Sequence, residues 1–376
     1  MLSLYIHVPF CVRKCRYCGF YSTPNSSGIA DAVISALKRE AALYRNDFRN
    51  RAFSSIYIGG GTPTILSSEQ FGLLVGIIRE HFTIDDGVEF TVEANPNTVT
   101  HEKLSLMRSQ GANRISLGVQ SFSGEVLQIL GRLHTAKQAA DAFRVARRAG
   151  FENIGIDLIY GIPGQTADHW EEALDAAIAL KPEHVSAYSL SLDAGSQFMR
   201  ESEAGEFVLL DEEICAAMYE RAVIKLNNAG YGRYEISNFS FPGYECRHNM
   251  NYWERGEYLG LGPGAWSFIS GRRYANIADT TEYVQRLSSG RTIIDDQEIV
   301  GSGSSARETV LLSLRTTQGL ELSRFEQAFG RDLLCRLERN AVPLRQAGLL
   351  RVKEGRMTLT DRGILLLDEA LARLYV

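Results

Sequence analysis

The sequence predicts an α/β protein built as a partial (β/α)6 barrel, TIM-like but open, followed by a winged-helix-like α+β domain. Six strand patterns alternate with helical patterns within about the first 190 residues, and strands separated by helices form a parallel sheet through right-handed crossovers. A closed barrel of eight units usually needs about 250 residues, so six units leave one side open to a bulky substrate. Beyond residue 301, helices precede a single hairpin pattern instead.

The strand patterns are short runs rich in β-branched and aromatic residues, and helical periodicity fills the intervals between them. The strands are predicted at residues 4–9, 55–58, 88–94, 114–119, 154–160 and 185–192. The helices are predicted at residues 29–46, 67–78, 100–111, 135–150, 170–180 and 211–228. Capping boxes begin two of the helices, with Ser67 before Gln70 and Thr135 before Gln138.

A doubly wound open sheet is the alternative arrangement of the same pattern. Its dinucleotide-binding turn has G-x-G-x-x-G spacing, whereas Gly59, Gly60 and Gly61 are followed here by Thr-Pro. This difference favours the barrel.

The chain is predicted to divide into the barrel at 1–235, an irregular connecting segment at 236–300 and the winged-helix-like domain at 301–376. Residues 231–270 are rich in Gly, Tyr, Asn and Trp with little periodicity, and long irregular stretches are usually functional. The last part has helices at 308–314, 323–329 and 333–346, a hairpin at 349–360 and a final helix. Residues 295–376 carry 12 basic and 12 acidic side chains, which predicts a lid or docking module rather than a DNA-reading wing.

Composition excludes several classes of protein. Hydrophobic residues make up 45% and charged residues 23% of the chain, which excludes disordered and fibrous architectures. A net charge of −5 disfavours a nucleic-acid partner. No apolar run approaches the roughly 18 residues of a spanning helix, and the first residues lack a secretory pattern. We therefore expect a cytoplasmic protein.

Cys11, Cys15 and Cys18 lie within eight residues, directly after the first strand. Active sites of parallel α/β folds are built at the carboxyl ends of strands. Three thiolates can hold three irons of a [4Fe–4S] cube and leave the fourth iron free for a small chelating molecule. The alternatives are three unrelated cysteines, or a zinc site completed by His7 or His248. Structural zinc usually takes four protein ligands.

Several motifs together resemble one superfamily. The segment YIHVPFCVRKCRYCGF at 5–20, with GGGTPT at 59–64, is similar to the radical S-adenosylmethionine (SAM) superfamily. Further motifs extend the resemblance over most of the chain: EANP at 93–96, LGVQSF at 117–122, LGRLHT at 130–135, GIDLIYGIPGQT at 155–166 and CRHNMNYW at 246–253. They resemble the branch shared by oxygen-independent coproporphyrinogen III dehydrogenases and HemW-type haem chaperones.

The resemblance implies that the three cysteines hold a [4Fe–4S] cluster whose open iron binds SAM, a source of radical chemistry. It also implies one or two SAM positions at the ends of successive strands. Those positions are lined by Tyr5, Gly60, Gly61, Thr62, Glu93, Gln120, Arg132 and Asp157. A structural Arg132–Asp157 ion pair and a core role for Tyr5 are the alternatives.

Charged side chains surround the three cysteines. Arg13, Lys14 and Arg16 would offset the thiolate charge and dock an acidic, flavodoxin-like electron donor. A solvated surface is the alternative interpretation.

Two features favour the chaperone over the dehydrogenase. Phe20 stands where the dehydrogenase typically has a further cysteine, and the chain begins almost at the first strand. The residues His248, Asn249, Tyr252 and Trp253 match the H-N-x-x-Y-W haem motif of the chaperones. The resemblance implies that His248 binds haem iron and that Tyr252 and Trp253 offer flat faces to the porphyrin.

Other interpretations of this motif stay open. His248 could be a structural histidine, and Cys246 is an alternative thiolate ligand. Trp266 stands where the family often has histidine, which puts a second haem ligand there in doubt. Asp193 and Ser196 replace the frequent Glu and Thr, and these changes are chemically mild.

The sequence thus predicts a radical-SAM haem chaperone that binds a [4Fe–4S] cluster, SAM and haem and passes haem to apo-haemoproteins, especially respiratory ones. The alternatives are anaerobic decarboxylation of coproporphyrinogen III and a radical-SAM reaction on another substrate. Cleavage of SAM, a homodimer and peripheral contact with a membrane stay open.

Overall fold

The computed structural model describes residues 1–24 and 28–374. Strands and helices alternate through the first part of the chain as the sequence predicts, with a short 3₁₀ helix at Pro63–Ile65. The elements of this part are β1 (Leu2–Val8), β2 (Phe10–Cys11), β3 (Thr23–Pro24), α1 (Ile29–Tyr44), β4 (Ala52–Gly60), α2 (Ser68–His81), β5 (Thr83–Ala94), α3 (His101–Ser109), β6 (Arg114–Gln120), α4 (Gly124–Ile129), α5 (Ala136–Arg148), β7 (Asn153–Tyr160), α6 (Ala167–Leu180), β8 (His184–Ser189), α7 (Gln197–Glu203) and α8 (Glu212–Asn228).

Six parallel strands form the centre of one twelve-stranded sheet. Their order, β1-β4-β5-β6-β7-β8, follows the chain without reversal. A doubly wound sheet reverses direction at a switch point, so that alternative is wrong. The sheet does not close, because the strands next to β1 and β8 lead outward to separate edges. The predicted partial barrel is confirmed.

Alternation along the strands separates a hydrophobic layer from a polar interior. On β1, Leu4 and Ile6 are buried in the main hydrophobic core, which also includes residues of the flanking helices. Tyr5 pairs in register with Tyr57 of β4. The interior face carries Ser116, whose hydroxyl bonds the carboxylate of Asp157 across the strands. Tyr57, Ser116 and Asp157 of this polar interior also line a cavity.

The middle part of the chain is more regular than predicted. Its elements are β9 (Gly232–Arg233), β10 (Asn238–Ser240), α9 (Arg247–Trp253), β11 (Glu257–Leu261), β12 (Trp266–Ile269), β13 (Arg272–Asn276), α10 (Thr280–Ser288) and β14 (Ile294–Ile299). Strand β11 pairs in parallel with β1, and β12, β13 and β14 continue the same sheet antiparallel. The expectation of an irregular segment at 236–300 is therefore corrected, although the domain boundaries themselves stay a prediction.

The sequence does not reveal these strands because they are short. Strands of three to six residues joined by glycine turns are too short to show periodicity. The β12–β13 turn is an example, since Ser270 and Gly271 both have positive φ, as a two-residue hairpin turn of type I′ requires.

The C-terminal part has a core of its own, which packs helices against a three-stranded sheet. Its elements are α11 (Ser302–Ser313), β15 (Leu320–Glu321), α12 (Leu322–Phe329), α13 (Arg331–Gln346), β16 (Leu350–Lys353), β17 (Arg356–Leu359), α14 (Asp361–Leu365) and α15 (Leu367–Leu374). The β16–β17 hairpin turns at Glu354 and Gly355, both at positive φ. The predicted winged-helix-like domain is confirmed. Among the described residues, no helix is both long and apolar enough to cross a membrane.

Candidate functional site

A cavity of about 550 Å³ opens at the carboxyl ends of the parallel strands. The three clustered cysteines line it, together with seven of the eight residues predicted to surround SAM. Those seven are Gly60, Gly61, Thr62, Glu93, Gln120, Arg132 and Asp157. Tyr5 is the exception, because it is absent from the cavity wall and its hydroxyl bonds Nδ1 of His7 at 2.9 Å. This contact corresponds to the core role that was the alternative for Tyr5.

The cysteine loop lies at the rim of this cavity, beyond the short strand β2. Thr62 Oγ1 lies 3.6 Å from the Sγ of Cys11, and Arg132 Nη1 donates to the Sγ of Cys15 at 3.4 Å. Burial raises the pKa of the Cys18 thiol to about 11 and also raises that of Cys11. Sulfurs held beside a hydroxyl and a guanidinium, but otherwise desolvated, suit a positively charged iron cluster that stabilises the thiolates.

The geometry does not suit a single metal ion. Among residues 1–24 and 28–374, no three His, Cys, Asp or Glu side chains converge on one ion. The zinc alternative needs His7 or His248 as a fourth ligand, and both histidines are buried with both ring nitrogens hydrogen-bonded. Cysteines on an iron–sulfur cube bind different irons and need no common point of convergence.

The glycine turn after β4 is required by packing. Gly60 has φ +102°, and a Cβ there would lie 2.4 Å from the imidazole of His7. A Cβ on Gly61 would lie 2.5 Å from the carbonyl oxygen of Phe10. The missing side chains therefore let this turn close against β1 and β2, which brings Thr62 to Cys11.

Carboxylates line the wall of the cavity. Glu93 accepts the hydroxyl proton of Tyr57 at 2.8 Å and the backbone N–H of Gly60 at 3.1 Å. Burial is the main cause that raises the pKa of Glu93 to about 7. Asp157 accepts from Ser186 at 2.7 Å, and burial raises its pKa as well. These groups can accept hydrogen bonds from a cationic or hydroxyl-bearing ligand.

The proposed structural pair of Arg132 with Asp157 does not form. Arg132 donates to Cys15 Sγ and to the carbonyl oxygen of Gly118, whereas serine hydroxyls surround Asp157. Gln120 stands at φ +69°, an unfavourable conformation for a residue with a side chain. Such strain clusters at functional sites, which agrees with the position of Gln120 in the cavity wall.

Only two of the three basic residues near the cysteines are exposed to solvent. Arg13 and Lys14 are exposed at the cavity mouth. Arg16 turns inward, where it donates to the carbonyl oxygen of Ile129 at 3.0 Å and pairs with Glu201 at 2.6 Å. Arg16 therefore holds the cysteine loop in place and does not form part of the exposed basic surface.

The residues of the haem motif lie behind the cavity, on the short helix α9, which packs against β1 and β4. Glu89 caps this helix, accepting the backbone N–H groups of Arg247 at 2.9 Å and His248 at 3.0 Å. His248 is only 1% exposed. Trp253 is half-buried, and its Nε1 has no partner among the described residues.

Both ring nitrogens of His248 are engaged. Nδ1 lies 2.9 Å from the hydroxyl of Ser55, which itself donates to Ser3 at 2.7 Å. His248 Nδ1–H is therefore the donor to Ser55, and the Nε2 lone pair accepts the hydroxyl proton of Tyr252 at 2.9 Å. Burial, aided by Arg114, lowers the pKa of His248 to about 3. The imidazole is thus neutral, as metal ligation requires, but its lone pair is occupied.

Cys246 is less suited to bind iron. It is fully buried, its thiol donates to Glu89 at 3.5 Å, and burial raises the pKa of that thiol to about 12. Such a thiol stays protonated near neutral pH, whereas a metal ligand must be a thiolate.

Sequence reasoning missed Tyr57, which lines the cavity. Its ring also lies against that of His248, with centroids 5.0 Å apart and an angle of 33° between the planes. The available signal was the period of two along β4, which places Ser55, Tyr57 and Gly59 on one face.

Comparison with known proteins agrees with this geometry. Residues 5–177 match the radical SAM superfamily and residues 305–366 match the HemN C-terminal domain. A Bacillus subtilis relative named heme chaperone HemW is 36% identical, covering 98% of this chain and 98% of its own length. This chain belongs to the HemW heme chaperone family. A Mycobacterium tuberculosis H37Rv protein of the same name is 36% identical over 97% of this chain and 93% of its own.

The family fold is shared with an enzyme of known structure. Escherichia coli coproporphyrinogen III oxidase (HemN), described as a radical SAM enzyme, superposes with a TM-score of 0.88 at 25% identity. The match covers 100% of this chain and 90% of that chain. A radical SAM domain implies a [4Fe–4S] cluster and SAM, and the sulfur and carboxylate groups of the cavity suit both.

Proposed function

We propose that this protein is a haem chaperone, which binds a [4Fe–4S] cluster, SAM and haem and passes haem to apo-haemoproteins, including respiratory enzymes. One observation carries the proposal: a relative that matches 98% of this chain is named a heme chaperone. The intact haem motif, with His248 held neutral on an ordered helix, supports it.

The cavity has separate groups for the cluster and for SAM. Cys11, Cys15 and Cys18 would hold three irons, and the cluster when bound supplies an open iron and a source of single electrons. Arg132 and Thr62 stabilise the negative charge of the sulfurs. Glu93, with a pKa near 7, accepts hydrogen bonds from the amino or ribose groups of SAM.

Haem would be bound by the helix α9. His248 Nε2 has the lone pair that an axial iron ligand needs, but the hydroxyl of Tyr252 must leave it first. Ligation therefore requires a local rearrangement of this helix. Tyr252 and Trp253 would then be released to contact the porphyrin ring.

One partner is proposed from the positive charge at the mouth of the cavity. The exposed Arg13 and Lys14 at the cavity mouth would attract an acidic, flavodoxin-like electron donor. A homodimer and peripheral contact with a membrane that holds the acceptor stay open, and a cytoplasmic location stays a prediction from the sequence.

The second candidate function is oxidative decarboxylation of coproporphyrinogen III, which the likeness to HemN favours. Phe20 argues against it, because this side chain is 65% exposed at the cavity where the dehydrogenases have a cysteine. Anaerobic protein reconstituted with iron and sulfide should leave coproporphyrinogen III unchanged in the presence of SAM and reductant. Conversion of coproporphyrinogen III would instead show that the protein is a dehydrogenase.

The decisive test is a haem titration of the reconstituted protein, followed by Soret absorption and stoichiometry. His248→Ala should weaken binding and alter the Soret band. His101→Ala is the matched control, since this histidine is exposed on α3. Equal spectra and stoichiometry for wild type and His248→Ala would remove His248 as the ligand. Electron paramagnetic resonance of the reduced cluster, before and after addition of SAM, tests the open iron.

A further inference from the structure

We infer that Tyr57 couples the SAM cavity to the haem-motif helix, so that a ligand on Glu93 loosens the burial of His248. The inference rests on the proposed function and assigns Tyr57 as a positioning residue between two ligand sites. A single side chain forms the connection: the Tyr57 hydroxyl bonds Glu93 at 2.8 Å, and its ring lies against that of His248.

Strand β4 supplies most of the enclosure around His248. Ser55 bonds its Nδ1 and Tyr57 packs on one face of the ring, while Tyr252 of the same helix stands edge-on at 5.0 Å. The two β4 residues are next-but-one neighbours on one face of the strand. A shift of the Tyr57 ring therefore removes one wall of this enclosure without unfolding the strand.

Glu93 accepts one hydrogen bond on each carboxylate oxygen, so each oxygen keeps a free lone pair that a ligand can use. One carboxylate oxygen accepts the Tyr57 hydroxyl and the other accepts the backbone N–H of Gly60. A cationic or hydroxyl-bearing ligand that bonds these free lone pairs competes with both donors for the negative charge of the carboxylate, which weakens both hydrogen bonds. The Gly60 N–H belongs to a turn packed tightly against His7, whereas the tyrosine hydroxyl can move by side-chain rotation. Tyr57 is thus the donor that yields.

The direction of the effect follows from this competition. A tyrosine released from Glu93 no longer holds its ring against His248, so opening of α9 becomes easier and haem binds more tightly. Coupling between two sites is reciprocal. SAM must therefore raise the affinity for haem by the same factor, about tenfold, by which haem raises the affinity for SAM.

The experiment measures both affinities on the reconstituted protein, kept anaerobic and without reductant so that SAM stays intact. Haem association is titrated with and without saturating SAM, and SAM binding is measured by equilibrium dialysis with and without haem. Wild type should show about tenfold enhancement in both directions. In Tyr57→Phe, which keeps the ring and loses the hydroxyl, the enhancement should fall to near unity.

Tyr258→Phe is the matched control. Tyr258 belongs to the same aromatic cluster and stands edge-on to Tyr252 at 4.7 Å, but it makes no hydrogen bond to Glu93. This variant should keep the full enhancement. An enhancement that persists in Tyr57→Phe, that is lost equally in Tyr258→Phe, or that is absent or reversed in wild type overturns the inference.

Hydrogen exchange followed by mass spectrometry gives a readout that needs no haem. SAM should speed exchange of the amides at 247–253 in wild-type protein, and unchanged or slower exchange contradicts the coupling. Failure of wild type to bind haem would refute the proposed function alone, because exchange compared between wild type and Tyr57→Phe, in which SAM should no longer speed exchange, still tests whether Tyr57 transmits SAM binding to α9.

Discussion

Arg16 fixes the cysteine loop from inside, and its removal is the sharpest test of how this fold would hold the cluster that a radical SAM domain implies. The side chain donates to the carbonyl oxygen of Ile129, pairs with Glu201 and lies 4.9 Å from the ring of Phe198. Its backbone N–H bonds the carbonyl oxygen of Leu130 at 3.2 Å. The loop between Cys15 and Cys18 is therefore attached to two neighbouring helical segments through one residue.

The cost of Arg16→Ala can be added from these contacts. The bond to the carbonyl contributes about 1 kcal/mol and the guanidinium–aromatic contact about 0.5–1 kcal/mol. The ion pair, partly exposed and so partly screened, adds about 1 kcal/mol. A loss of roughly 3 kcal/mol corresponds to about a 100-fold increase in opening of the loop. If the loss is global, unfolding entropy of about 2.1 cal/mol/K per residue over 376 residues predicts a fall in Tm of about 4 °C.

Two assays separate local opening from global unfolding. Release of iron to a chelator reports opening of the loop, and thermal denaturation reports the whole chain. Arg13→Ala is the control, because this exposed neighbour makes no hydrogen bond or ion pair with the described residues. Iron release from Arg16→Ala that is no faster than from Arg13→Ala would refute the reasoning.

Three further predictions follow from local geometry. Gly60→Ala places a Cβ against the His7 ring at positive φ. It should lower the free energy of unfolding by about 2–4 kcal/mol, measured in urea, and most of the bound iron should be lost. The control Gly72→Ala, in open space on α2, should be neutral or slightly stabilising. Burial raises the pKa of Glu40 to about 7, so the stabilisation that comes from protonated Glu40 is complete below about pH 4.5 and is lost as pH rises through 7. The free energy of unfolding should therefore fall by up to about 3 kcal/mol between pH 5 and 8. An equally steep fall in Glu40→Gln would contradict this. Glu308→Gln weakens the ion pairs that Glu308 makes with Arg255, between α9 and β11, and with Arg273 of β13. Limited proteolysis of the C-terminal domain should therefore accelerate, at a cost of about 1–2 kcal/mol. An unchanged rate of cleavage would show that these ion pairs do not hold the domain in place.

The cavity at the strand ends was largely predictable from the sequence, and the position of helix α9 was not. Strand ends of a parallel sheet share one edge, so the positions of Glu93, Gln120 and Asp157 along the chain were enough to bring them together. His248 lies 193 residues from its partner Ser55. No local pattern indicates that the motif is folded into the barrel interior with the Nε2 lone pair of His248 already occupied by the Tyr252 hydroxyl.

The sequence by itself determined the six-unit alternation, the cysteine cluster, the capped helices and the Glu354–Gly355 turn. Each of these depends on spacing over a few residues, where backbone sterics and side-chain periodicity act directly. Only the tertiary structure decided that Arg16 faces inward, that β11 extends the sheet beside β1 and that Tyr57 separates the cavity from His248. Those features arise from contacts between distant segments, whose energies are comparable for many pairings until the whole core is packed.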